Sequence, residues 1–373
     1  MNKKTLHIIS LEIPFPPDRG MVMSIYYKIK AFYEQGVEVI LHAFYKEFKA
    51  PEELTAICKA IYLYPRHPMW DIKNLSLPLY MQSRRSDQLV AMLSKDDAPV
   101  LFEGLHTLYH VHDPGIAHKR RYVCMHNIES EYYMQLTRYE PNAFKKIYFS
   151  IESRLSKYAE KNILPGLNGI FCLSAAEAQQ LLSLNKQTFW IPPCIDQEIN
   201  CKPGLGTYAL YHGDLSVKEN ELGARFLSEE IFKNLEIPLI IAGYKPTSSL
   251  KNKLRQHALV TLIESPSMQV MDQLIEDAQV ILAPFRHSTG YKMKLLQSIS
   301  KGRHIITSNI AQSYTELNDV VHFADNPDEW KHALLELNHK PFTEADIEKR
   351  KLLIDTVFNN RNQADRMVEI MFN

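Results

Sequence analysis

Short apolar runs alternate along the chain with longer segments whose apolar residues recur every three or four positions. In the first half TLHIIS, VEVILHAF, AIYLYP, APVLFEG, RRYVCMHN, GIFCLS and TFWIPP predict strands. Near-continuous apolar runs of that length suit parallel strands covered on both faces. Between them SIYYKIKAFYEQG, closed by Gly36, SDQLVAMLSK and a charged stretch over 142–164 predict helices. The alternation then restarts with YALYHGD, PLIIAGY, VTLIES, VILAPF and HIIT. ENELGARFLSEEIFKN, QVMDQLIEDA and a segment opening near Lys292 supply the intervening helices, and 343–370 predicts a helical tail. The pattern predicts an α/β protein of two doubly wound, Rossmann-like halves facing a cleft.

Length supports two cores rather than one, because a single core seldom grows past about 250–300 residues. The polar stretch DQEINCKPGLG, 196–206, with Pro203 and two glycines, marks the expected boundary between 1–200 and 205–345. Lys+Arg and Asp+Glu both total 43, so the formal charge is zero and nucleic-acid binding through bulk charge is not expected. The N-terminal apolar run HIISLEIPF is short and broken by Glu12 and Pro14, which argues against a signal peptide. No window reaches the ~18 apolar residues of a membrane span. Five cysteines without a CxxC pair fit reduced thiols in a cytoplasmic protein better than a zinc site.

In doubly wound sheets, ligands sit beyond the carboxyl ends of the strands, so the loops after strands carry the candidate chemistry. One such loop, PFRHSTGYKMK, places Gly290 ahead of a helix with Lys292 and Lys294 in its first turn. Lysines at the positive end of a helix dipole are unfavourable by about 0.3–1 kcal/mol each, unless an anion such as a diphosphate binds there. Backbone amides after Gly290 would add donors, whereas two solvated surface lysines are the plain alternative. Gln297 and Ser298 share the face of Lys294, at i+3 and i+4. In the first half, FPPDRG offers Arg19 and Gly20 before a helix, equally readable as a proline-rich turn. MHN and LFEGLHT set His126, Asn127, Glu103 and His106 at neighbouring strand ends, where histidine is otherwise often structural. YHGDLSVKEN opens the second half with Gly213 at a turn and with Ser216 or Asn220 able to cap the next helix. No GxSxG, P-loop, HExxH or DxD-like carboxylate cluster occurs, and Glu129/Glu131 and Asp18/Glu12 lack a partner for two-carboxylate hydrolysis.

Taken in order, PFPPDRG, MHN, YHGDLSVKEN, IPLIIAGY and TGYKMKLLQSISKGRHIIT resemble the GT-B glycosyltransferases of family 4 and their bacterial relatives, over nearly the whole chain. The resemblance implies a nucleotide-diphosphate sugar held mainly by the second domain and an acceptor, such as a growing polysaccharide or a lipid-linked glycan, held mainly by the first. It also implies retention of anomeric configuration, no metal or other cofactor, and a C-terminal helix over 346–373 crossing back to the first domain. By position, His126, Lys292 and Lys294 would serve catalysis. Arg19, Gly20, Gly213, Arg286, Gly290, Tyr291 and Gln297 would hold the donor, and Glu103, His106 and Asn127 would face the acceptor. Asp214 stands where many members carry an arginine, Lys218 is out of register, and Gln297 replaces a glutamate, so Arg286, Lys292 and Lys294 would have to supply the phosphate charge. A weak or inactive partner subunit and a nucleotide-sugar epimerase remain alternatives. A two-domain solute-binding protein fits less well, without a signal peptide. Aromatic and basic residues, Tyr148, Phe149, Lys145 and Lys146 among them, leave peripheral contact with the inner face of a membrane open, against the plainer reading of a buried aromatic face.

Overall fold

The structure, a computed structural model, describes residues 4–17, 20–48, 52–286, 289–309 and 314–373. It divides into two units. One comprises 1–195, 289–291 and 358–373, and the other 196–288 and 292–357.

The first unit is built on seven parallel strands: β1 (Thr5–Ser10), β2 (Glu38–Tyr45), β3 (Ala60–Pro65), β4 (Val100–Glu103), β5 (Arg121–Met125), β6 (Gly169–Cys172) and β7 (Thr188–Trp190). Their order across the sheet is β3-β2-β1-β4-β5-β6-β7. The second unit has β8 (Ala209–Asp214), β9 (Leu239–Tyr244), β10 (Val260–Glu264), β11 (Val280–Ala283), β12 (His304–Thr307) and β13 (His322–Phe323), in the order β10-β9-β8-β11-β12-β13. In each sheet the winding reverses beside the first strand, so the loops after β1 and β4, and after β8 and β11, open at a topological switch point. Gly20, Glu103, Gly213 and Arg286 lie in or at the edges of those loops.

Strands β4, β6, β11 and β12 are buried at every position, as runs covered on both faces require. One core gathers Ile9, Val100, Phe102, Val123, Met125 and Ile170, and the other Tyr211, Leu239, Ile241, Val280, Leu282 and Trp330. No helix among the described residues is long and apolar enough to cross a membrane.

Three features depart from the sequence reading. The helices Leu79–Gln82, Glu129–Tyr139, Ala175–Leu181, Ser248–Leu254 and Pro327–Asn338 and the two-residue strand β13 were not anticipated. The tail is two helices, Glu344–Thr356 and Asn360–Phe372, broken where Asn359 caps the second by accepting from the Asn362 amide. The chain joins the first unit at Phe358, so Glu344–Thr356 stays with the second unit and the crossing is shorter than 346–373. The first boundary falls at Ile195, at the leading edge of the polar stretch.

At the carboxyl ends of β8 and β9, Gly213 and Gly243 lie directly opposite each other. A Cβ on Gly243 would overlap the Gly213 carbonyl oxygen and crowd Leu215. Gly243→Ala is therefore expected to lower stability by about 1–3 kcal/mol in urea unfolding. An unchanged midpoint would contradict the close approach.

Candidate functional site

In the second unit, β11 delivers Phe285 and Arg286, and the helix Met293–Lys301 begins with Lys292 at its N-cap. Among the described residues no side chain caps that end. Lys294, in the first turn, sends Nζ to Asn220 Oδ1 at 3.3 Å. The same Nζ lies 4.5 Å from the Phe285 ring centroid and 5.1 Å from that of Tyr211. Lys292 Nζ approaches the Phe285 ring at 5.3 Å. Among the described residues no carboxylate comes within ion-pair distance of Lys294, although Glu219 acts on it from further off. Burial, helped by the Lys292 charge and opposed by Glu219, lowers its pKa to about 8. Behind it His212 is buried, with Nε2 3.3 Å from Ser298 Oγ, and burial followed by the Lys294 charge lowers its pKa to about 3. Lys294 therefore sits among a carbonyl oxygen, two ring faces and a neutral imidazole.

Asn220 does not cap the helix Lys218–Phe226, and neither does Ser216. Val217 takes that position without a side-chain bond. The Asn220 amide instead donates to the Asp214 carbonyl, and its oxygen receives Lys294. Its position is fixed by Gly213, where a Cβ would press on the Asn220 side chain. Ser216 donates its hydroxyl to the Asp214 carboxylate at 2.6 Å. Lys218 pairs with Glu221 along its own helix at 3.2 Å. Arg286 is exposed, and its backbone amide donates to Glu219 at 3.4 Å. Gln297 is half-buried, one turn beyond Lys294.

The first unit holds a second constellation. Lys28, on the helix Gly20–Glu34, meets both Glu103 oxygens, at 2.7 and 3.0 Å, and Cys124 Sγ at 3.1 Å. His126 Nε2 lies 2.7 Å from Glu103 Oε2. Burial opposes the charge on Lys28, but Cys124 and Glu103 outweigh it and raise its pKa. Burial likewise opposes the Glu103 carboxylate, while Lys28 and His126 lower its pKa. His126 is lowered by burial, against the pull of Glu103, and so is neutral at pH 7. With Nε2–H donated to the carboxylate, Nδ1 carries the lone pair. Glu103, Cys124 and His126 have the spacing of a metal site, yet Lys28 Nζ occupies the position a cation would take among them.

Several expected roles change in this light. Glu103, expected at the acceptor, is wholly enclosed and orients His126 instead. His106 is packed against Tyr80 at 4.3 Å between centroids, with Nδ1 3.8 Å from Glu129. That nitrogen is buried without a hydrogen-bond partner among the described residues. Gly290, expected to let the backbone approach the donor closely, belongs to the first unit, and its own amide donates to Glu177 at 2.8 Å. It has φ +64, and a Cβ there would overlap Asn127 Oδ1. Asn127 in turn donates to Glu129 at 3.3 Å. Tyr291 is buried with its ring 5.8 Å from that of Phe358, so the ring is structural. Gly20 starts its helix, and Arg19 lies outside the described residues.

The residues that sequence reasoning missed are Lys28, Cys124, Tyr211 and Phe285. Lys28 left a signal, because it shares the apolar face of Ile25, Ile29 and Phe32, where an unpaired lysine would be costly. The aromatic floor under Lys294 left none, since strand aromatics usually fill a core.

Lys28→Met should destabilise the chain by about 3–5 kcal/mol, because Glu103 would stay buried without its partner. Adding Glu103→Gln should recover part of the loss, and equal melting points for the two variants would contradict the pairing. Lys294→Met should have the opposite sign. A lysine whose folded pKa is about 8 carries its full penalty below that pH. The penalty fades as pH rises toward the unfolded value near ~10.4. The variant should therefore melt higher than the parent at pH 7, by a margin that shrinks toward pH 10. A lower melting point at pH 7 would contradict the uncompensated ammonium.

Residues 206–340 match the family described as "Glycosyl transferases group 1". A Klebsiella pneumoniae protein named "Uncharacterized 44.6 kDa protein in cps region" is 23% identical over 339 residues, covering 83% of this chain and 84% of its own length. Among solved structures, sucrose-phosphate synthase from Thermosynechococcus elongatus superposes with a TM-score of 0.75 at 14% identity, over 99% of this chain and 98% of the other. A point mutant of S. aureus TarM, in complex with fondaparinux, alpha-GlcNAc-glycerol and UDP, does so with a TM-score of 0.64 at 10% identity, over 99% of this chain and 100% of that one. The chain thus has the GT-B fold of the glycosyltransferases, and its residues 206–340 match glycosyl transferases group 1.

Proposed function

We propose that this protein transfers a sugar from a nucleotide-diphosphate sugar to a glycan or lipid-linked acceptor, with retention at the anomeric carbon and without a metal. The observation that carries the reading is the Lys294 ammonium, half-buried over two rings and lacking an ion pair among the described residues, within the group 1 match. A diphosphate is the partner that such a cation, an uncapped helix start and Lys292 have in common. The UDP bound by S. aureus TarM and the cps region named for the Klebsiella protein point the same way.

As the sugar leaves, the bond from its anomeric carbon to the phosphate oxygen breaks and negative charge grows on the diphosphate. Lys294, Lys292 and the first amides of the helix Met293–Lys301 are fixed in advance to stabilise that charge. Arg286, exposed beside Glu219, extends the positive region from β11. The acceptor hydroxyl bonds to the same face of the anomeric carbon, and its proton passes to the departing phosphate oxygen, so no protein base is required. His126, neutral and held by Glu103, accepts a hydrogen bond from a sugar hydroxyl at Nδ1. Lys28 is its indirect support. The charge on the leaving group is met by ammonium groups and amides, which is why no divalent ion is required.

A thermal-shift screen with UDP-, GDP-, ADP- and CMP-sugars should give one stabilising donor, and that donor should be turned over with acceptor present. Lys294→Ala should weaken nucleoside diphosphate binding by about ten- to a hundredfold, the worth of a charge-assisted hydrogen bond. Equal affinity by calorimetry would remove Lys294 from the site. His126→Ala should lower turnover on the order of 10²-fold with little change in donor affinity. Matching losses in both would make it a binding residue only. EDTA should leave activity in place, and a strict requirement for Mg²⁺ would overturn the metal-free mechanism. Release of an epimerised free donor, with no transfer, would favour an epimerase.

A further inference from the structure

The helix Ala143–Ile163 is inverted. Its buried residues are Glu152, Ser153, Ser156, Ala159, Glu160 and Ile163, mostly polar. These make the attachment: Glu152 accepts from the Leu79 amide at 3.1 Å, Ser153 donates to the Ser130 carbonyl at 2.7 Å, and Ser156 meets Tyr80 Oη at 2.8 Å. Glu160 receives the amide of Ser130 at 3.0 Å. On the opposite side, Phe144, Ile147, Ile151 and Tyr158 are 86%, 60%, 49% and 53% exposed. At 3.6 residues per turn, these four fall within about 60° of the circumference. A surface helix normally turns its apolar stripe inward. This one is held by hydrogen bonds and offers its apolar stripe to solvent.

Charge decides what the stripe meets. Lys145, Lys146, Arg154, Lys157 and Lys161 on this helix, and Arg138 on the preceding Glu129–Tyr139, are all exposed. Of the acids on the two helices, Glu129, Glu152 and Glu160 are buried and Glu131 alone is exposed, so basic groups prevail on the solvent side. A second copy of this chain seated on the stripe by a two-fold axis would bring like-charged flanks together. A lipid surface answers both features, hydrocarbon for the stripe and anionic headgroups for the lysines. Exposed Trp70 and Leu75, both 83%, lie in the segment that leads to Leu79 and so to Glu152. Tryptophan is at home at the headgroup level.

We propose that the solvent face of Ala143–Ile163 docks this protein on an anionic lipid surface, with Phe144, Ile147 and Ile151 entering the headgroup boundary and the flanking Arg154 and Lys161 pairing with lipid phosphates. The inference is independent of the chemistry proposed above, and accords with an acceptor that is itself lipid-linked.

Co-sedimentation of the full chain with vesicles tests it. The chain should pellet with phosphatidylcholine vesicles containing phosphatidylglycerol, weakly with phosphatidylcholine alone, and less at high salt. Ile147→Asp with Ile151→Asp should reduce the bound fraction at least tenfold, and Arg154→Glu with Lys161→Glu should erase the preference for anionic lipid. These residues take no part in the core, so melting points and nucleoside diphosphate affinity should stay at parental values. That control separates this proposal from the sugar-transfer reading. A parent chain that remains in the supernatant with both vesicles, or variants that pellet like the parent, would overturn the proposal. So would a dimer in light scattering that the Asp variants dissociate, with no vesicle binding by the parent.

Discussion

An ammonium group partly withdrawn from water is costly unless something negative meets it, and the second unit is organised around one that no carboxylate contacts among the described residues. Strand β8 supplies the Tyr211 ring, β11 leads into Phe285, and the turn after Gly213 brings the Asn220 oxygen to Lys294. The helix Met293–Lys301 then adds its own positive end. The rings and the amide oxygen attract the ammonium, but burial, the Lys292 charge and the helix end oppose it. A diphosphate would offset what these leave uncompensated.

Lys28 shows what the chain does with a buried lysine of the other kind. It is gripped by both oxygens of Glu103 and by Cys124, and its pKa is raised rather than lowered. The contrast divides the two by task. Lys28 fixes the Glu103 carboxylate, which orients His126 through Nε2, while burial keeps the imidazole neutral against the pull of that carboxylate. Nothing in that chain of contacts needs a ligand. Lys294, whose pKa is lowered to about 8, waits for one.

Much of the fold was legible because buried parallel strands are short apolar runs, and their order could be read as two restarts of one pattern. The position of the candidate site followed, since loops at the ends of β1, β4, β5, β8 and β11 carry the polar residues. What failed was long-range. Gly290 reads as a phosphate loop by spacing, but its left-handed backbone serves contact with Asn127, far away in sequence. Tyr291 likewise is fixed by Phe358. The break at 357–359 was hidden because the segments on both sides are good helix formers, with only Asn359 to mark the cap. Glu103 read as an acceptor-side acid because its partner, Lys28, sits 75 residues earlier on a helix that otherwise reads as ordinary.

The central claim is that Lys294 is an uncompensated cation awaiting a diphosphate. A pH titration of lysine ¹³Cε signals, with Lys294 assigned by its loss in Lys294→Met, measures this directly. The account predicts a midpoint near pH 8 for the unliganded protein, moving above pH 10 when UDP, GDP or ADP binds. A midpoint already at the ordinary lysine value, unmoved by any of the three at saturation, would contradict it.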